Sequence, residues 1–355
     1  MRIGIYDPYL DDLGGGEKYM MTIAVYLSKN HKVDVFWDNQ KDLEALNSRF
    51  ALDFSKIKLV PNIFNPSVSI LTKLKNTKKY DVIIFLSDGS IPLVASKKLL
   101  VHIQQPLEQM QRNSMLNNFK IKRVNTFFTN SMYTKSFIDK KFSLKTQVLY
   151  PPVEIFAKNL KKENIILHVG RFRIKNIKND DFKKQAFMIS EFKEMVKKGL
   201  SGWKFVLAVS VQDKDRKEFE EMKNKAKGFP IEFLINNSNE KLWEVYSKAK
   251  IYWHASGFGE DLEKHPEYAE HFGISTVEAM GAGAVPVVIN AGGQKEIVEN
   301  GKNGYLWNTK DQLKQKTLEL INDPDTLTTF SKQAKKDSQK FGIDKFYNGI
   351  ERLIS

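Results

Sequence analysis

Two carboxylates eight positions apart, Glu270 and Glu278, enclose Phe272, Gly273, Ile274, Ser275 and Thr276 in a stretch that reads EHFGISTVE. Ser275 to Glu278 fits the S-x-x-E capping box, which predicts a helix that starts at Ser275 and ends at the Gly281-Ala282-Gly283 break. A helix start leaves backbone N–H groups unpaired and carries the positive end of the macrodipole, a combination suited to phosphate. Glu270, in the loop upstream, is then placed to accept from a sugar hydroxyl, and Glu278, one turn in, from a ribose. Taken alone, the same residues are a cap and a solvated loop carboxylate, so the flanking chain has to decide.

Further candidates stand where strands give way to helices. Gly14, Gly15 and Gly16 precede Glu17 in a loop that enters a helix, and glycines there permit positive φ and close approach of backbone N–H groups to an anion. The loop is neither G-x-G-x-x-G nor a Walker sequence. His102 ends an apolar strand and is followed by Gln104 and Gln105. Arg171 follows another strand, with a guanidinium able to pair bidentately with phosphate. Lys183 and Lys184 open the next helix, which a solvated helix start explains as well.

The string from Glu270 to Glu278, continued by Ala279-Met280-Gly281-Ala282-Gly283, Pro286-Val287-Val288, Gly292-Gly293 and Glu296-Ile297-Val298, closely resembles the E-x7-E signature of glycosyltransferase family 4. The resemblance implies a retaining, metal-independent enzyme of GT-B architecture, with two Rossmann-like domains facing across a cleft. It implies that Glu270 contacts the donor hexose and Glu278 the ribose, and that the backbone of Phe272, Gly273, Ile274 and Ser275 meets the hexose and diphosphate. GGGE matches the family's GGAE with one change, which places Gly15 and Gly16 opposite the diphosphate and acceptor. His102 matches a histidine near the transferred sugar, and Arg171 the arginine of the family's GR motif. The partner lysine falls after an insertion over 174–181; counted back from Phe192, Lys183 fits the register, with Lys184, Lys175 and Lys178 as the other choices.

Short apolar runs alternate with helix-period segments throughout, the pattern of parallel α/β sheets. Strands are expected over 3–6, 33–37, 82–86, 99–103, 126–129 and 147–149, and again over 165–169, 205–209, 231–235, 251–254 and 285–289. Helices are expected between them, including 17–28, 132–141, 182–198, 215–227, 242–248 and 294–299. Tyr150-Pro151-Pro152-Val153 interrupts the alternation. The domains read as 1–152, on the acceptor side, and 153–335, for the nucleotide sugar. The resemblance adds that 336–355, with its last helix around 344–353, crosses back onto the first domain.

With 355 residues, 41% apolar and 28% charged, the chain has the composition of a soluble protein large enough for two cores. No run of 18 or more apolar residues and no signal-peptide pattern is present. The absence of cysteine excludes thiolate metal sites and makes a cytoplasmic location the simplest reading. Of the net charge of +14, about +9 falls before Val153, from 22 Lys and Arg against 13 Asp and Glu. Lysines 73, 75, 78, 79, 97 and 98, and the stretch 115–128 with Phe119, Lys120, Lys122 and Arg123, suit either a solvated surface or peripheral contact with an anionic membrane. Asp213/Asp215 and Asp323/Asp325 both read D-x-D but stand at helix starts, where Asp caps, so no metal and no other cofactor is expected. The expected partners are a nucleotide-sugar donor and a glycan or lipid-linked acceptor, with the basic first half favouring a lipid-linked or surface-polysaccharide one. The alternatives are a catalytically silent sugar-nucleotide binder and a basic nucleic-acid-binding protein; no RNA-binding or helix-turn-helix motif accompanies the latter, and no nucleic acid is expected.

Overall fold

Runs of Val, Ile and Phe too short for helices pair into two parallel sheets, and the segments between them, apolar at helical spacing, cover their faces. The computed structural model describes residues 1–12, 14–110, 115–174 and 181–355. The chain divides into two compact units, Met1–Pro152 with Ile343–Ser355, and Val153–Gly342.

In the first unit the elements are β1 (Arg2–Tyr6), α1 (Gly15–Leu27), β2 (Lys32–Phe36), α2 (Gln40–Phe50), β3 (Ile57–Val60), α3 (Ile70–Thr77), β4 (Val82–Leu86), β5 (Lys98–Ile103), α4 (Met115–Arg123), β6 (Thr126–Thr129), α5 (Met132–Phe142) and β7 (Gln147–Val148). The sheet runs β3-β2-β1-β4-β5-β6-β7, all parallel, so the strand order reverses beside β1. Doubly wound sheets open a crevice at such a switch point, at the carboxyl ends of the strands, where the glycine loop and His102 stand. β3 is a strand the sequence reading leaves out. It is a four-residue edge whose Ile57 and Leu59 touch the core while Lys58 is exposed.

The C-terminal helix (Ile343–Ile354) belongs to this unit. Phe346, Gly349, Ile350, Leu353 and Ile354 form its buried face. Tyr347 stacks on Tyr26 at 3.9 Å, and Gly349 lies so close to Leu149 that a Cβ would stand 2.4 Å from its methyl carbon. The helix starts at Ile343, and the second unit extends to Gly342 rather than to 335. The reason is local: Asn303 donates to Asp337 at 3.0 Å, and Phe341 packs edge-on against Phe272 at 5.2 Å.

The second unit contains β8 (Glu163–Phe172), α6 (Gln185–Lys197), β9 (Lys204–Val211), α7 (Arg216–Lys225), β10 (Ile231–Ile235), α8 (Asn239–Lys248), β11 (Ala249–His254), α9 (Ile274–Gly281), β12 (Val285–Ile289), α10 (Gln294–Ile297), β13 (Tyr305–Trp307), α11 (Lys310–Asn322) and α12 (Pro324–Ser338). Its sheet order is β10-β9-β8-β11-β12-β13, again parallel and again reversing beside the first strand. β8 is twice as long as the expected 165–169, because pairing with β9 continues as far as Phe172 opposite Val211.

Candidate functional site

The centre of the second unit's site is Glu270. Its Oε2 accepts from Lys183 Nζ at 2.6 Å and from His254 Nε2 at 2.9 Å, and its side chain is 18% exposed. Burial pushes the carboxyl upward, but the Lys183 charge and the His254 hydrogen bond outweigh it and hold Glu270 well below the ordinary carboxylate range. The group is therefore an ionised acceptor with a cation at contact.

His254 comes from β11, whose alternation sends Ile251 and Trp253 into the apolar core and Tyr252 and His254 to the opposite face. A carboxylate only accepts, so His254 Nε2 carries the proton; burial lowers the pKa of the ring, keeping it neutral. Behind it His168, from β8, donates from Nδ1 to the Trp253 carbonyl at 3.0 Å, and burial takes it down to about 3. The Tyr252 hydroxyl meets Ser275 Oγ at 2.7 Å, and the Tyr246 hydroxyl donates to Glu278 at 2.8 Å. Tyr246, Tyr252 and His254 were not singled out from the sequence. The signal that could have found the last two is Y-x-H set against I-x-W in a strand buried on both faces.

Lys183 is delivered by a built turn. The segment that begins after Arg173 closes with an antiparallel bridge between Ile174 and Asp181. Buried Asp181 then accepts from the N–H groups of Gln185 at 2.7 Å and Ala186 at 3.0 Å, satisfying the first donors of α6. The helix thus starts at Gln185 and not at 182, and Lys184 takes the left-handed N-cap conformation, φ 57°. This turn separates the two lysines: Lys183 reaches Glu270, whereas Lys184 is buried and pairs with Glu260 at 2.6 Å. Lys175 and Lys178 lie outside the described residues. Gly170 keeps the path open, since a Cβ there would stand 3.4 Å from Lys183 Cγ and 3.1 Å from His168 Nε2. Arg171 occupies the next position of β8, opposite Ser210, and is exposed.

The expected capping box at Ser275 is not formed. α9 begins at Ile274 with Gly273 at its N-cap (φ 120°, ψ 53°) and no side-chain cap, so Ser275 and Glu278 are inside the helix. They lie three residues apart on one face, which is why both end on tyrosines rather than on each other's backbone. Gly273 admits no Cβ, which would meet Gln294 at 2.8 Å. The loop ahead of the helix is held from below by Gly292 and Gly293. Gly293 donates to the Glu270 carbonyl at 2.7 Å, and a Cβ on it would stand 2.4 Å from Phe272 Cα. Phe272 itself is buried, so its side chain anchors the loop while its backbone passes under the helix start.

In the first unit, α1 begins at Gly15 with Gly14 at the N-cap, and the Gly14 N–H donates to Glu17. Gly14 has φ −102°, so positive φ is not what these glycines supply. Gly16 supplies room: a Cβ would stand 2.3 Å from Gln104 Oε1. His102 is stacked between Tyr19 (4.5 Å) and Phe128 (4.6 Å) and donates from Nδ1 to the Phe128 carbonyl at 3.2 Å. Burial lowers it to about 3, leaving a neutral ring whose acceptor Nε2 has no partner among the described residues. Asp7, which directly follows β1, is raised to about 8 by burial and by the Glu17 carboxylate.

The two D-x-D sequences resolve differently. Asp323 caps α12, accepting from the N–H groups of Asp325 and Thr326. Asp215 stands at the N-cap of α7 but makes no cap bond there, and accepts from the Ile174 N–H at 3.4 Å.

Residues 153–337 match the family model described as Glycosyl transferases group 1. Among curated proteins, the chain is 28% identical over 249 residues to the GDP-Man:Man(3)GlcNAc(2)-PP-Dol alpha-1,2-mannosyltransferase of Dictyostelium discoideum, covering 66% of this chain and 47% of that protein, so it spans about half of that relative's length. It is 25% identical to the Alpha-1,3/1,6-mannosyltransferase ALG2 of the same organism, over all of this chain and 98% of that protein. Among solved structures, HepE of Anabaena in complex with UDP superposes with a TM-score of 0.74 over 99% of each chain at 17% identity, which establishes the fold as GT-B. With the family model covering more than half of the chain, over the unit that holds Lys183, Glu270 and Glu278, this protein belongs to the glycosyl transferases of group 1.

Proposed function

We propose that this chain is a retaining hexosyltransferase that moves a hexose from a nucleoside-diphosphate sugar to a hydroxyl of a glycan or lipid-linked acceptor, without a metal ion. The observation that carries the reading is the ionised Glu270 at contact with Lys183, beside the Gly273-capped start of α9. Glu270 accepts from hexose hydroxyls, and Glu278, held by Tyr246, accepts from the ribose. As the bond between the anomeric carbon and the diphosphate oxygen breaks, negative charge grows on the diphosphate. Lys183, Arg171 and the α9 N-terminus stabilise it, which is the service a divalent cation gives elsewhere. The acceptor oxygen bonds to the same face of the anomeric carbon, and its proton passes to the departing phosphate oxygen. No protein nucleophile takes part. Nucleic acid has no place in this reading, and the expected setting is the cytoplasmic side of a membrane.

Both relatives are named as mannosyltransferases and one of them for GDP-Man, which makes GDP-mannose the first donor to test. Thermal stabilisation by GDP-, UDP-, ADP- and TDP-sugars identifies the donor by mass action. With that donor, Glu278→Ala abolishes transfer while the protein keeps its melting profile; near-normal turnover in the folded variant would overturn the assignment. The configuration at the anomeric carbon of the product, read by NMR, tests retention. Detectable donor hydrolysis separates an enzyme from a silent binder.

A further inference from the structure

Glu270 reaches the second unit's site at the end of a segment that does not place it unaided. Residues 255–269 separate β11 from this carboxylate, with a turn of 3-10 helix at Pro266–Tyr268, a long connection for a compact α/β unit. The Gly293 N–H fixes the backbone at Glu270, yet the rotatable side-chain bonds of a glutamate still lie between that backbone and its carboxylate. Two donors hold the carboxylate itself, and they differ in stiffness. Lys183 ends a flexible stem on the turn ahead of α6 and is half-buried. His254 has a short side chain, is buried, and stands at the last position of β11, paired with Val288 of β12, its ring 5.9 Å from that of His168. The rigid support for Glu270 is therefore the histidine.

Both contacts fall on the same oxygen. Lys183 Nζ and His254 Nε2 donate to Oε2 at 2.6 and 2.9 Å, and among the described residues Oε1 receives no hydrogen bond. The other ring nitrogen of His254, Nδ1, is buried and has no partner among the described residues. A second proton there would be buried without an acceptor, in keeping with the lowered pKa of the ring, so the imidazole is a neutral donor. His168, buried behind it, satisfies its own N–H on the Trp253 carbonyl. His254 instead directs its proton to a side chain that borders the site.

We infer that His254 is a positioning residue for the donor hexose: it clamps Oε2 of Glu270 to the end of β11 and leaves Oε1 as the single oxygen that meets a sugar hydroxyl. The role toward the hexose rests on the function proposed above, whereas the contact between His254 and Glu270 stands on the geometry alone. The diphosphate is assigned to Lys183, Arg171 and the start of α9, so loss of the clamp is read at the sugar and not at the nucleotide.

The test uses the full chain, with His254→Leu to remove the N–H and His254→Gln to supply an amide N–H in place of Nε2–H. Calorimetric titration is carried out with GDP and with GDP-mannose, or with UDP and UDP-glucose if these alone stabilise the wild-type chain. Affinity for the nucleotide is expected to stay within about twofold in both variants, while affinity for the sugar nucleotide falls about tenfold in His254→Leu and is largely restored in His254→Gln. Circular dichroism confirms folding. An equal loss for nucleotide and sugar nucleotide, wild-type affinity for the sugar nucleotide in a folded His254→Leu, or no recovery in a folded His254→Gln overturns the inference. Imidazole nitrogen NMR of the unliganded chain needs neither variant: His254 is expected as the neutral Nε2–H tautomer, with a resonance displaced by Glu270→Ala. A resonance indifferent to Glu270→Ala overturns the contact itself. A wild-type chain that binds none of these sugar nucleotides overturns the donor reading instead, and the spectra still decide whether His254 holds Glu270.

Discussion

Replacing Lys183 and Lys184 one at a time by Met separates a chemical role from a structural one in adjacent residues. Lys183 is 27% exposed and Lys184 8%, and each holds a carboxylate at 2.6 Å, so both variants remove one end of an ion pair. Unit charges at contact are worth about 4 kcal/mol at an effective dielectric constant of about 20. Desolvation of both ends takes back part of this, leaving a net cost of about 2 kcal/mol for either variant. For a unit of this size that is a fall of about 4–8 °C in melting temperature. Glu270 keeps His254 when Lys183 is lost, and Lys184 is the more buried of the two lysines, so the smaller fall belongs to Lys183→Met. In catalysis the order reverses. Losing one group that stabilises developing charge costs about 100- to 1,000-fold in kcat. Lys183→Met therefore loses that factor with a modest thermal shift, and Lys184→Met keeps kcat within a fewfold with the larger shift. Initial rates at saturating donor, with thermal melts of the same preparations, decide the matter. A folded Lys183→Met with normal kcat, or a folded Lys184→Met without activity, refutes the assignment of Lys183 to the diphosphate.

Two further substitutions follow from the packing. Gly293→Ala brings a Cβ to 2.4 Å from Phe272 Cα and 2.6 Å from the His271 carbonyl, so the loop carrying Glu270 must move. A cost of about 1–3 kcal/mol is expected, with a rise in donor KM greater than the fall in thermal stability would explain; calorimetric titration with the donor checks it, and unchanged affinity refutes it. Asp7 is raised from 3.8 to about 8, so the folded state binds a proton that the unfolded state has released. Stability is full below about pH 4 and falls by up to about 1.4 kcal/mol per pH unit as pH rises toward 8. Asp7→Asn, which mimics the protonated acid beside Glu17, flattens the dependence; hydrogen exchange of peptides from β1 at pH 5 and pH 8 measures it, and parallel profiles for the two proteins refute it.

The parts legible in the sequence are those in which one residue type carries its own geometry. β-branched runs in a regular alternation with amphipathic segments specify both parallel sheets, and a string as long as Glu270 to Val298 specifies the family. What stayed hidden depends on contacts between residues distant in the chain. Ser275 and Glu278 satisfy a cap pattern, but Gly273, with a φ of 120°, starts the helix one residue earlier and turns both side chains to Tyr252 and Tyr246, which local spacing cannot show. Likewise, counting from Phe192 leaves Lys183 and Lys184 as neighbours of equal standing. Asp181 distinguishes them: by capping α6 from four residues ahead it forces Lys184 into the left-handed conformation, and the turn sends the two ammonium groups to different carboxylates. The glycines carry a similar lesson. Gly16 and Gly293 are needed for what approaches them, Gln104 in one case and the Phe272 backbone in the other, and neither neighbour is visible from the glycine's own surroundings in the chain. The site is therefore written in the sequence as residue types, and its geometry is written in the close approaches that those glycines permit.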